Sequence, residues 1–238
     1  MQTGDITLGK KLSSSIGKKI VVALTGLFLT MFLVVHLIGN LQLLKADGGE
    51  AFNFYSKFMG HNPLIQIISK VNFALILAHA GWGIYLAFKN RAARPVRYAA
   101  NKPSANSKWA SRNMAVLGTI ILAFIAVHLA KFWYNFKFGT VPEITYTDPV
   151  TGVVSTIKNY YAEVQYGFSN PYIVVFYVIS MLVIAFHLGH GIQSAFQTLG
   201  INNKDAAPTL KKIGYVLAYG ICLLFAIIPV FMYFHITL

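Results

Sequence analysis

Acidic side chains are scarce in this chain: seven Asp and Glu among 238 residues, against twenty Lys and Arg. None of the seven lies within a long apolar stretch. That counts against a proton-driven transporter, because such proteins place carboxylates inside the membrane. Cysteine occurs once, as Cys222 in the last apolar stretch, where it reads as a small core residue. One cysteine excludes an intrachain disulfide and a four-cysteine iron–sulfur site, and the missing Cys-x-x-Cys-His excludes covalently attached c-type haem. Charged residues make up only 11% of the chain and apolar ones 56%, a balance that fits an integral membrane protein better than a soluble domain.

What is present is apolar length. A membrane-crossing helix needs about 20 mainly apolar residues. Five segments qualify, at roughly 19–44, 64–89, 112–137, 170–199 and 211–237. The expected fold is an all-α membrane protein forming one domain over residues 1–238, with a four-helix bundle built from the first four helices and a fifth packing helix. The first apolar run is too long for a signal-peptide core and lacks a small-residue cleavage site.

Charge sorts by loop. The N-terminus (Lys10, Lys11, Lys18, Lys19), the 89–112 region and the 200–212 loop together carry 14 of the 20 Lys and Arg. The 45–62 and 138–169 loops hold five of the seven acids: Asp47, Glu50, Glu143, Asp148 and Glu163. Lys and Arg excess marks the cytoplasmic side. The N-terminus is therefore expected in the cytoplasm of a bacterial cell and the C-terminus outside. Nucleic-acid binding is the lesser reading of these charges; beyond topology, they suit anionic lipid heads or an acidic partner face.

Punctuation predicts the helix ends. Ser13-Ser14-Ser15 offers a cap, Lys45-Ala46-Asp47-Gly48-Gly49 a turn, Pro63 and Pro171 helix starts and Gly200 a stop. The aromatics Phe52, Phe54, Tyr55 and Phe58 mark residues 50–62 as interfacial. Pro95 and Pro103 mark a surface connection, and alternation on either side of Asp148-Pro149-Val150-Thr151-Gly152 hints at a hairpin. Pro229 is expected to kink the fifth helix.

The most informative feature is a repeat. His79-Ala80-Gly81-Trp82-Gly83-Ile84-Tyr85-Leu86-Ala87-Phe88 and His187-Leu188-Gly189-His190-Gly191-Ile192-Gln193-Ser194-Ala195-Phe196 both read H-x-G-x-G-I-x-x-A-F. Upstream, Gly26 precedes His36 by ten residues and Gly118 precedes His128 by ten. The first four segments thus form a tandem pair of two-helix units, each with two deep histidines. A lone membrane histidine can simply bond a neighbouring helix or serve a proton relay. Four on successive helices, inside a repeat, point instead to two bis-histidine haems, because imidazole is a common axial ligand and bundle cores build cofactor sites from facing helices.

Depth selects the pairs. At about 1.5 Å per residue, His36 lies ~26 Å from Lys19 and His128 ~24 Å from Arg112, both near the outer side of a core about 30 Å thick. His79 lies ~15 Å from Lys89 and His187 ~20 Å from Gly200, both nearer the cytoplasm. His36 therefore pairs with His128, and His79 with His187, as iron ligands. A tandem repeat with a pseudo-twofold along the membrane normal gives the same pairing, since it places equivalent residues at equal depth. Gly26, Gly118, Gly81, Gly83, Gly189 and Gly191 leave room for a flat macrocycle, and equally allow close helix contact. His190 takes the place of Trp82 in the repeat, which argues against iron ligation. Three residues from His187 on nearly the same face, it suits a haem propionate, a quinone oxygen or a structural role. His61 and His235 read as interfacial.

These residues resemble a known family, the five-helix, dihaem cytochrome b membrane anchors of succinate:quinone oxidoreductases, of the b558 type. The likeness rests on Thr25-Gly26-Leu27-Phe28-Leu29 up to His36, Phe73-Ala74 up to His79-Ala80, Gly118 up to Val127-His128-Leu129, His187 with Gly191 and Gly200, and Leu210-Lys211-Lys212. It implies that His36 and His128 hold the distal haem and His79 and His187 the proximal one. It implies flavoprotein and iron–sulfur partner subunits on the cytoplasmic side. The acceptor is expected to be a membrane quinone, with menaquinone the expectation over ubiquinone. Succinate chemistry itself would lie on the partners. Fumarate reductases of this type can carry a glutamate just before the fourth-helix ligand; Ala185 stands there, which favours succinate oxidation. The other readings are a fumarate reductase anchor, a hydrogenase or formate dehydrogenase cytochrome b, and a transporter using histidine relays.

Overall fold

The computed structural model describes residues 14–93, 109–147, 150–201, 203 and 205–237. Lys10, Lys11, Ser13, Arg94, Pro95, Arg97, Lys102, Pro103, Lys108, Asp148, Pro149 and Lys204 lie outside the described residues. The elements, in order, are α1 (Ser15–Asn40) running into a tight turn (Leu41–Leu44), α2 (Glu50–His61), α3 (Pro63–Ala92), α4 (Trp109–Arg112), α5 (Met114–His128), a π-helical segment (Leu129–Trp133), α6 (Tyr134–Phe138), β1 (Glu143–Thr147), β2 (Val154–Lys158), α7 (Tyr160–Phe168), α8 (Pro171–Thr198) and α9 (Ala207–Thr237). Among the described residues, five helical stretches are long and apolar enough to cross a membrane: Ser15–Leu44, Pro63–Ala92, Met114–Phe138, Pro171–Thr198 and Ala207–His235. The protein is an all-α, multi-pass membrane protein in its spanning part.

Local chemistry sets the boundaries. Ser14 caps α1, its hydroxyl accepting from the Gly17 N–H at 3.0 Å. Asn62 and Asn170 cap α3 and α8, and each is followed by a proline, whose fixed φ suits the first helical position. Helix α8 ends in a Schellman motif: Gly200 takes φ +74°, and Ile201 N–H reaches back to Phe196 C=O at 3.1 Å. Pro229 is buried inside α9, and the helix runs on through it.

Helix α8 is the central element. It packs on α9, α1 and α5, while α3 packs on α1 and α5, so contacts run α1–α3–α5–α8 and back to α1. Helix α9 lies outside, against α8 and α1. Large apolar side chains such as Met31, Leu77, Val116, Leu182 and Leu223 point outward from the spans and are exposed, as a lipid-facing surface requires.

Two additions depart from a plain bundle. The third span is not one α-helix: it widens into a π-helix at Leu129–Trp133, directly after His128. Such bulges shift side-chain register and recur at functional sites. The end opposite the basic loops also carries a cap made of α2, the β1–β2 antiparallel hairpin and α7. The sequence pattern hinted at the hairpin but not at the two helices. Asn53 of α2 ties the cap together. Wholly buried, it donates to Tyr146 Oη at 3.0 Å and Asn159 Oδ1 at 3.1 Å, and accepts from Tyr161 N–H at 2.8 Å. Asp47 closes the preceding turn by accepting from Gly49 and Ala51 N–H. Burial, then the Asp47 charge, push the Tyr161 phenol above its ordinary pKa.

Candidate haem-binding site

The histidines expected on four different helices meet in twos. His36 of α1 faces His128 of α5, ring centres 5.9 Å apart and planes at 88°. His79 of α3 faces His187 of α8, ring centres 6.2 Å apart and planes at 73°. Among the described residues no group of three His, Cys, Asp or Glu comes together as a metal site. Two nitrogens per site fit an ion whose remaining ligands come from a macrocycle. Metal–imidazole bonds of about 2 Å on either side of one ion put the ring centres about 6 Å apart, which both pairs match.

The surrounding hydrogen bonds define the free nitrogen of one ring, His79. His79 Nδ1 lies 3.1 Å from the Val22 carbonyl and 3.0 Å from Thr25 Oγ1. A carbonyl only accepts, so Nδ1 carries the proton and Nε2 keeps its lone pair. Thr25 is turned to help: its hydroxyl donates to the Val21 carbonyl at 2.7 Å, so its oxygen is left to accept from His79. His187, the repeat counterpart, differs. Its Nδ1 is buried and has no hydrogen-bond partner. Leu117 occupies the position matching Thr25, so no hydroxyl is offered there. In the other pair, His128 Nδ1 is 3.3 Å from Tyr177 Oη, and the Asn40 amide NH2 lies 3.3 Å from His36 Nδ1 and 3.5 Å from its Nε2. Phe32, Phe124, Phe132 and Phe225 surround this second pair.

The glycines divide into three kinds. A Cβ on Gly26 would meet the His79 ring at 3.0 Å, and one on Gly118 would meet the His187 ring at 3.6 Å, so the repeat places these two against equivalent imidazoles. Gly83 and Gly191, one turn beyond His79 and His187 on the same face, border open space. Gly81 also borders open space, whereas Gly189 packs towards Tyr215 of α9 and serves helix contact instead. The bare Nε2 of His79, the orphaned buried Nδ1 of His187 and the side-chain-free ground one turn away together fit a macrocycle between these helices.

Two buried polar residues within the spanning helices escaped the sequence reading. Asn72 and Ser180 are 7% and 4% exposed, and each stands seven residues before the histidine of its repeat unit. Ser180 bonds its own helix at Phe176 C=O, but Asn72 Oδ1 has no partner. Their shared register in the repeat was the available signal. His61 and His235 are exposed near helix ends, as expected. His190 is half-buried in a cleft with Trp109, Phe186, Tyr215 and Tyr219.

No family model matches the chain, and no solved structure matches it. The chain is 28% identical over 174 residues to the succinate dehydrogenase cytochrome b558 subunit of Bacillus subtilis (strain 168), an alignment covering 72% of this chain and 73% of that protein. In sequence and in its five spanning helices, the chain is thus similar to the cytochrome b subunit of a succinate dehydrogenase.

Proposed function

We propose that this chain is the haem-carrying membrane anchor of a succinate:quinone oxidoreductase. The observation that carries the reading is the meeting of four histidines as two pairs on four helices, at separations that suit one iron each. His79 and His187 would hold the proximal haem and His36 and His128 the distal one. Haem held in this way supplies one-electron exchange in the membrane interior. The chain's part is to hold, orient and insulate. The Val22 carbonyl and Thr25 aim His79, Tyr177 contacts His128, and the phenylalanines exclude water around the outer pair. Such supporting contacts set ligand basicity and therefore potential.

The named activity of the B. subtilis relative supports the wider assignment. A flavoprotein and an iron–sulfur subunit dock on the basic, cytoplasmic face, and electrons pass from them to a membrane quinone, menaquinone rather than ubiquinone. The apolar Ala185, two residues before His187, favours the succinate-oxidising direction over a fumarate reductase anchor. Purification of the chain from its own membrane, followed by peptide identification of whatever comes with it, tests the assignment. Flavoprotein and iron–sulfur subunits are expected; a hydrogenase or formate dehydrogenase subunit, or no partner, contradicts it.

A further inference from the structure

Charges inside the spans are few, and one of them faces lipid without cover. Lys70 stands seven residues into α3, about 10 Å from the helix start at Pro63. It is exposed, beside Ile67, Ile68 and Val71, which are exposed too. No Asp or Glu lies in any of the five spans. A lysine head in hydrocarbon is costly, so it reaches for the head-group region or for an anion. Among the described residues Lys70 makes no hydrogen bond, ion pair or ring contact. Nine residues before His187, as Lys70 is before His79, the second repeat unit has Val178, on the helix that α9 covers. The charge therefore belongs to the lipid-facing side of the first unit and not to the repeat.

The surroundings of Lys70 specify a partner. Phe73, one turn along α3, meets Trp133 of the third span with ring centres 5.3 Å apart and planes at 67°. Trp133 also meets Phe138 at 5.7 Å. Lys137 stands one turn beyond Trp133 and is exposed, again with no bond or ring contact among the described residues. Side chains lean towards the N-terminus of their own helix, and these consecutive spans run in opposite directions. Lys70 therefore leans towards the capped end of the bundle and Lys137 away from it. The two ammonium groups converge in depth, on the cap side of the Phe73–Trp133 contact. Trp133 is 40% exposed there, and its indole N–H is a donor. Lys131, the other lysine of this stretch, rests instead over Tyr166 of α7, its ammonium 5.5 Å from the ring centre. Two cations without a counter-charge, a donor N–H and apolar flanks open to the bilayer call for one group that has negative charge, acceptor oxygens and hydrocarbon tails.

We propose that the groove between α3 and the cap end of the third span binds the phosphodiester head of an anionic phospholipid, with Lys70 and Lys137 on either side of the head and Trp133 between them. Basic pockets between spanning helices take such heads. The site lies at the end opposite the basic loops, whose charges set topology, and it does not depend on the haem assignment.

The test is photolabelling of the purified protein, with the subunits that accompany it, in phosphatidylcholine nanodiscs doped with a photoactivatable phosphatidylglycerol. Peptide mapping should place label within 63–77 and 129–138, displaced by excess unlabelled phosphatidylglycerol but not by phosphatidylcholine. Lys70→Gln and Lys137→Gln should each lower that labelling about fivefold, the usual worth of one lysine near an anionic head. Lys70→Arg should retain it. Lys57→Gln removes an exposed lysine of α2 at the same end and should leave it unchanged. Thermal melting reports whether each variant folds; if Lys70→Gln melts early, Lys70→Arg and Lys137→Gln carry the comparison. Equal labelling by a photoactivatable phosphatidylcholine, unchanged labelling in the lysine-to-glutamine variants at 70 and 137, or an equal loss in Lys57→Gln overturns the site.

Discussion

His79 Nδ1 is held by two acceptors, Thr25 Oγ1 at 3.0 Å and the Val22 carbonyl at 3.1 Å, while Nδ1 of its counterpart His187 has no protein partner. The pair is therefore chemically asymmetric, because the second repeat unit has Leu117 where the first has Thr25. One ring is fixed in tautomer and orientation by helix α1; the other is placed only by packing.

Thr25→Val keeps the shape of the side chain and removes the acceptor. The His79 N–H then has one partner fewer and donates less charge to whatever its Nε2 binds. The haem at this pair should titrate at a higher potential and dissociate roughly 10- to 100-fold more readily, the usual cost of losing a supporting hydrogen bond. Thr25→Ser should restore both. Redox titration and haem-transfer kinetics read the effect; an unchanged potential in Thr25→Val would remove Thr25 from the site.

His79→Ala and His187→Ala should each abolish one spectral component, the same one, and His36→Ala and His128→Ala the other. The ring contacts within each pair motivate this. Low-temperature spectra of the four variants decide it. Loss of the same component from the His36 and His79 variants would refute the pairing.

Asn53→Leu should loosen the cap without touching either pair. It strands the Tyr161 N–H and removes two donated bonds. A buried backbone donor left unpaired costs about 1–3 kcal/mol. Limited proteolysis should cut faster within 143–168 while the haem spectrum holds. Equal cleavage rates would show that the cap is fixed by its apolar contacts alone.

Single cysteines in a Cys222→Ser background test the docking face. Crosslinks to the iron–sulfur partner are expected from positions in 89–112 and 200–212. Crosslinks from 138–169 with none from 89–112 would invert the topology.

Much of this was legible because membrane helices must be long and apolar, so the five spans stand out by composition. Pro63, Pro171 and Gly200 mark their ends by backbone chemistry alone. The histidine pairing was legible through the repeat, since tandem units put His36 level with His128 and His79 level with His187. Less visible was whatever depends on side-chain reach between elements. Thr25 reads as an ordinary polar residue in an apolar helix until the fold brings α3 beside it. Asn53 sits in a short amphipathic helix whose partners are 93 to 108 residues away in sequence. The π-helical widening after His128 leaves no composition signal. The six glycines of the repeat look alike as letters, yet only Gly26 and Gly118 abut histidine rings.

Two pairs of membrane histidines that hold two haems set a fixed haem stoichiometry, and acidic acetone extraction with the pyridine haemochrome assay on the intact, purified chain measures it. Two non-covalent b haems per polypeptide are expected, with one lost in each of the four histidine variants. A single haem, or none, in an intact preparation would contradict this.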